Sequence, residues 1–87
     1  MGRTNPTFRD FVRRQEQEWQ SFRRGLRRQH VDDFDRLFED ARRFADAASY
    51  MNAADPHRAL LVSMLLAQKA ELRELRERVE ALDAGDE

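Results

Sequence analysis

The chain has no cysteine, so no disulfide, thiolate metal site or thiol nucleophile is open to it. Its two histidines, His30 and His57, are too few for a metal cluster, and no metal or cofactor is expected. Isoleucine is absent, and the four valines and two threonines are scattered, which argues against strands. No apolar run approaches the ~20 residues needed to span a bilayer. The opening Met1-Gly2-Arg3-Thr4-Asn5-Pro6 lacks a hydrophobic signal core, so a cytoplasmic location is expected. Proline at position 6 also removes the Ser or Thr that a myristoylated Gly2 would need. No glycine-rich phosphate loop, Ser/His/Asp set or H-E-x-x-H spacing occurs, so no enzyme activity is expected.

At 87 residues the chain makes one domain, 1–87. A chain of this size buries only about 60% of its unfolded surface, so a solitary core is marginal. With disulfides and metals excluded, oligomerisation is the remaining device.

What is present is helical periodicity. Thr7 and Asp10 have capping-box spacing after the start signal Asn5-Pro6. From there Phe8, Phe11, Val12, Trp19, Phe22 and Leu26 fall within a sector about 100° wide, with Gln15 the one polar intruder. Leu26 stays in phase beyond Gly25, so the first helix is expected over about 7–28. A link at Gln29-His30-Val31 leads to Asp32 or Asp33 as the cap of a second helix, expected over 33–50. Its face carries Phe34, Leu37, Phe38, Ala41, Phe44, Ala45 and Ala48. Met51-Asn52-Ala53-Ala54 is the next turn, Asp55-Pro56 starts a third helix over 56–83, and the tail from Gly85 is expected to fray. Short links imply antiparallel neighbours. The expected fold is all-α: a helical hairpin packed on a long third helix with a coiled-coil-like C-terminal half, forming a homodimeric bundle.

That third helix carries the main candidate site. It starts as a nearly unbroken apolar run from Ala59 to Ala67 and narrows to Leu72, Leu75, Val79 and Leu82. Read as heptads, Arg58, Leu65, Leu72 and Val79 take position a, and Leu61, Gln68, Leu75 and Leu82 take position d. Self-association is therefore expected through Leu61, Leu65, Gln68, Leu72, Leu75, Val79 and Leu82. A parallel pair would bring Glu71 to Arg76 and Arg78 to Asp83 of the second chain. Antiparallel registers can also match opposite charges, which leaves the orientation open. The core stripe of a monomeric three-helix bundle has the same period, so the pattern alone does not exclude a monomer.

Charge supplies the second candidate. Residues 1–30 hold eight arginines against Asp10, Glu16 and Glu18, while residues 31–87 hold seven arginines and Lys69 against fourteen acids. The formal net charge of -1 hides this split. Arg9, Arg13, Arg24, Arg27 and Arg28 fall opposite the aromatic face, with the forked geometry that suits phosphate. Nucleic-acid contact is thus the alternative to a solvated face that pairs with Asp35, Glu39, Asp40 and Asp46. A helix-turn-helix reading fails because the third helix begins too apolar for a major groove. Membrane binding is not expected, since the aromatic face of the first helix is needed for the core.

Arginine in place of lysine, the missing isoleucine and plentiful Ala and Asp fit a GC-rich genome. The opening MGRTNPTFRD, the centre FDRLFEDARRFADAASYMN and the DP-initiated leucine-rich helix resemble small helical haloarchaeal proteins with no assigned activity. The resemblance covers most of the chain and implies a halophilic host. The departure is charge, since haloarchaeal proteins are usually strongly acidic.

Overall fold

A computed structural model describes residues 7–51 and 55–85. The start signal Asn5-Pro6, the turn at residues 52–54 and the tail at 86–87 lie outside the described residues. Those described form five helices: α1 (Phe8–Glu18), α2 (Gln20–Gly25), α3 (Arg28–Arg43), α4 (Ala45–Ala48) and α5 (Pro56–Gly85). No strand occurs among them.

The five helices make three rods, because two of the breaks are single residues. At Trp19 the backbone N–H still reaches the Gln15 carbonyl at 3.0 Å, so α2 follows directly on α1. Phe44 joins α3 to α4 in the same way, and Ala48 N–H donates to its carbonyl at 2.8 Å. The first rod starts at a complete capping box, in which Thr7 Oγ1 accepts from Asp10 N–H and Asp10 accepts from Thr7 N–H. Asp55 caps α5 by accepting from Arg58 N–H at 3.2 Å.

The hairpin differs from expectation at its turn. The first rod ends at Gly25 rather than near Arg28, and Leu26 and Arg27 are extended. The second rod begins at Arg28, so Gln29, His30 and Val31 are helical and neither Asp32 nor Asp33 is the cap. Packing explains the extra turn. Val31 lies one turn before Phe34 on the same face and is half-buried, which rewards carrying the helix back past the two aspartates.

The two rods run antiparallel and are pinned by two ion pairs, Arg23–Asp35 and Glu16–Arg42. Between them and α5 sits a core of Phe11, Val12, Phe34, Phe38, Ala41 and Leu60. Phe34 and Phe38 pack with ring centroids 5.1 Å apart and ring planes tilted by 55°. α5 lies chiefly along α3, and its second half continues past the hairpin. The molecule measures 65 × 33 × 18 Å, a head with a projecting helix. It exposes 7152 Å², whereas a compact monomer of this mass exposes about 5,400 Å².

Trp19 and Phe22 depart from the expected core, being 43% and 55% exposed. Beside Phe22, α5 offers Gln68 and Glu71, which are too polar to cover an aromatic ring.

Candidate functional site

The broad and narrow halves of the α5 apolar surface form one exposed strip. Leu61, Leu65, Gln68, Leu72, Leu75, Val79 and Leu82 are all exposed, Leu65 by 68% and Leu82 by 71%. At about 100° per residue they lie within a sector of about 100°. The residues of α5 that are buried in the head, Ala59, Leu60, Ser63 and Ala67, centre about 135° around the helix. In heptad terms the head takes positions b, c and f, which leaves a and d outside. Val62 and Leu66 widen the exposed surface beside the head. From Glu71 to Gly85 every residue is exposed.

Such an arrangement inverts the usual order of burial. In the head half of α5 the covered side chains are mostly small, while Leu61, Val62, Leu65 and Leu66 stand uncovered. The chain thus leaves an apolar stripe bare along its own longest helix, more than the scattered single apolar residues of an ordinary surface. The charges beside it are not tied up across the fold: among the described residues Glu71, Arg76, Arg78 and Asp83 make no ion pair, and Arg73 pairs with Glu77 on the far side.

The five arginines of the second candidate do not share one face. Arg9 and Arg13 lie on α1, Arg24 near the end of α2, and Arg27 and Arg28 at the hairpin turn. Arg13 pairs with Asp10, and Arg14 lies over the Phe11 ring at 6.0 Å. Among the described residues Arg9, Arg24, Arg27 and Arg28 make no ion pair. The expected pairing with the acidic second rod is carried instead by Arg23, whose Nε and Nη2 donate to Asp35 at 2.8 and 3.0 Å. That fork holds the Asp35 carboxyl below its ordinary range and raises Arg23. Asp10 is likewise lowered, first by the hydrogen bond from Thr7 N–H.

A family model described as a domain of unknown function, DUF8156, matches residues 1–87. The chain belongs to that family. No curated protein and no solved structure matches the chain.

One feature of this DUF8156 domain escapes a reading of the sequence. Phe22, Leu26, Phe34 and Leu37 floor a cleft of about 510 Å³, with His30, Asp33, Arg36, Asp40, Gln68 and Glu71 around it. The cleft exists because α5 presents Gln68 and Glu71 where a third apolar wall would close it. A signal was available: Val31 in phase with Phe34 places His30 and Asp33 on a helix beside the first rod instead of in a linker. Among the described residues no group of His, Asp and Glu gathers as a metal site, and no helix is long and apolar enough to cross a membrane.

Proposed function

We propose that this domain is a non-catalytic interaction module that self-associates through α5, acting as an adaptor whose heads are held together by the projecting helix. The observation that carries this reading is the uninterrupted exposed stripe from Leu61 to Leu82, on the side of α5 away from its own core. Burying such side chains on a second copy supplies the apolar contact that an 87-residue chain cannot make alone. The surface in excess of a compact monomer supports the same reading. The homodimeric coiled coil, the cytoplasmic location and the halophilic host are parts of this proposal.

Light scattering across a concentration series tests it. A dimer is expected at micromolar concentration, and a monomer at high micromolar concentration overturns the reading. Leu72→Asp with Leu75→Asp is expected to give a monomer that keeps most of its helix content. If the mass stays dimeric, the interface lies elsewhere.

The second reading is a nucleic-acid-associated protein, favoured by Arg24, Arg27 and Arg28 standing without ion pairs around the hairpin turn. Titration with labelled duplex and single-stranded DNA at several salt concentrations tests it. Binding at low salt that is lost on changing Arg13, Arg24 and Arg28 to Glu supports this reading. Absence of binding at low salt removes it. In a halophilic cytoplasm, where screening acts over about 3 Å at 1 M salt, purely electrostatic binding is weak.

A further inference from the structure

We propose that two copies pair in parallel and in register along α5, so that both heads sit at the same end of the assembly. This rests on the self-association reading and adds its direction.

Three observations converge. The first is steric. The head occupies the b, c and f side of α5, about 135° from the seam, and Leu61, Leu65 and Gln68 are exposed beside it. Two heads at one end therefore splay to opposite sides of the paired helices without blocking the contact.

The second is charge. In a parallel pair each g residue faces the e residue five positions along the other chain. Glu71 then meets the partner's Arg76, and Arg78 meets the partner's Asp83. Symmetry doubles both contacts, and no like charges face each other. Half-buried Met64 meets the partner's Lys69, whose alkyl stem covers it. Antiparallel pairs instead set g against g and e against e. The register that overlaps the whole seam places Glu71 on the partner's Glu71 and Lys69 on the partner's Lys69. A slide of one heptad toward the C-terminus brings Glu71 to the partner's Arg78, but sets Lys69 against the partner's Arg76. A second heptad sets Arg78 on the partner's Arg78 and Arg76 on the partner's Arg76. A slide the other way avoids like charges but leaves Val79 and Leu82 uncovered.

The third is the lone polar seam residue. In parallel register Gln68 faces the partner's Gln68, and the two amides satisfy each other as donor and acceptor. In the fully overlapped antiparallel register it faces Leu72 twice. A polar seam residue that is satisfied only against itself fixes both direction and register.

The natural chain lacks cysteine, so a single introduced thiol reports direction without interference. Leu82→Cys, and separately Leu61→Cys, are each expected to form a disulfide-linked dimer on mild oxidation of the full chain. In the fully overlapped antiparallel register the two positions 82 stand about 36 Å apart, beyond any disulfide. Glu71→Arg is expected to weaken the dimer about tenfold, and adding Arg76→Glu to restore it. A chain that scatters as a dimer yet cross-links at neither position overturns the parallel arrangement and leaves self-association standing. Rescue of Glu71→Arg by Arg78→Glu instead of Arg76→Glu does the same. A wild-type chain that stays monomeric overturns the self-association reading itself.

Discussion

The two halves of α5 share one apolar stripe, broad and nearly charge-free in the first half and narrow among charges in the second, and they meet opposite surroundings. From Pro56 to Ala70 the helix packs on α1, α3 and α4, yet what it gives the core is mainly Ala59, Leu60, Ser63 and Ala67. From Glu71 to Gly85 it gives the core nothing, and Leu72, Leu75, Val79 and Leu82 stand in solvent. The stripe crosses the boundary without a change of face. Had leucines served the head alone, they would lie on the b, c and f side and stop where the head stops. Leu60 apart, the buried residues are small and the seam leucines lie at a and d, which separates two tasks in one helix: close approach to the hairpin and a surface outside it.

A core residue of the head and a seam residue of α5 should respond to truncation in opposite ways. Phe38→Ala removes a fully buried ring and is expected to cost about 3–5 kcal/mol. A domain of this length has about 4–13 kcal/mol in all, so thermal melting should fall steeply or lose cooperativity. Leu75→Ala, at a position 57% exposed, is expected to leave the melting of dilute monomer within about 0.5 kcal/mol. Its effect should appear in association, at about 2–4 kcal/mol per dimer from two side chains. Sedimentation equilibrium and dilute-solution melting, run on both variants, separate the two. Equal losses in dilute melting would mean that the stripe serves the monomer's fold.

The helices and their faces were legible because apolar spacing is local: Phe34, Phe38, Ala41, Ala45 and Ala48 recur in helical phase and are all buried. The cap at Thr7 was legible for the same reason, since Thr7 and Asp10 satisfy each other within one turn. The hairpin turn was not. Asp32 and Asp33 look like caps by residue type, but the helix runs back past them to Arg28, with Val31 half-buried on the face that carries Phe34. The openness of the core at Trp19 and Phe22 was also hidden, because it depends on which residues of α5 arrive at that level. The arginines mislead in a similar way. Arg27 and Arg28 share a helical phase with Arg9 and Arg13 only if the helix runs on past Gly25, and it does not.

A smaller effect sharpens the contrast between the two helix starts. Thr7→Ala deletes the hydroxyl that accepts from Asp10 N–H and is expected to cost about 1 kcal/mol. For a domain of this size that is a fall of about 4–8 °C in Tm, read by circular dichroism. α3 starts at Arg28 with Arg27 at its N-cap position and no side-chain cap there. Arg27→Asp supplies a capping carboxylate there and is expected to raise Tm by less than Thr7→Ala lowers it. A gain equal to the Thr7 loss would show that the α3 start is limited by its cap and owes little to Val31.

The smallest effect distinguishes the Arg23–Asp35 ion pair of the hairpin from the Asp10 cap of α1. Asp35 is held below the ordinary aspartate value of 3.8, chiefly by hydrogen bonds from Arg23. Its stabilising contribution is therefore complete above that value and is lost as pH falls through it toward the lowered one. Asp10 titrates in the same window, with its shift owed first to Thr7 N–H. Acid should thus loosen the hairpin through two groups at once, and the variants separate them. Asp35→Asn is expected to flatten the stability curve below about pH 4 and to converge with the natural chain at the acid end. The Arg23–Asp35 pair is about one-third exposed, so raising salt should shrink this difference by screening. The Asp10 contribution rests mainly on a backbone hydrogen bond, so Asp10→Asn should keep its effect in the same salt. If salt erases both differences equally, Asp10 acts through Arg13 and the dipole of α1 instead of through its cap.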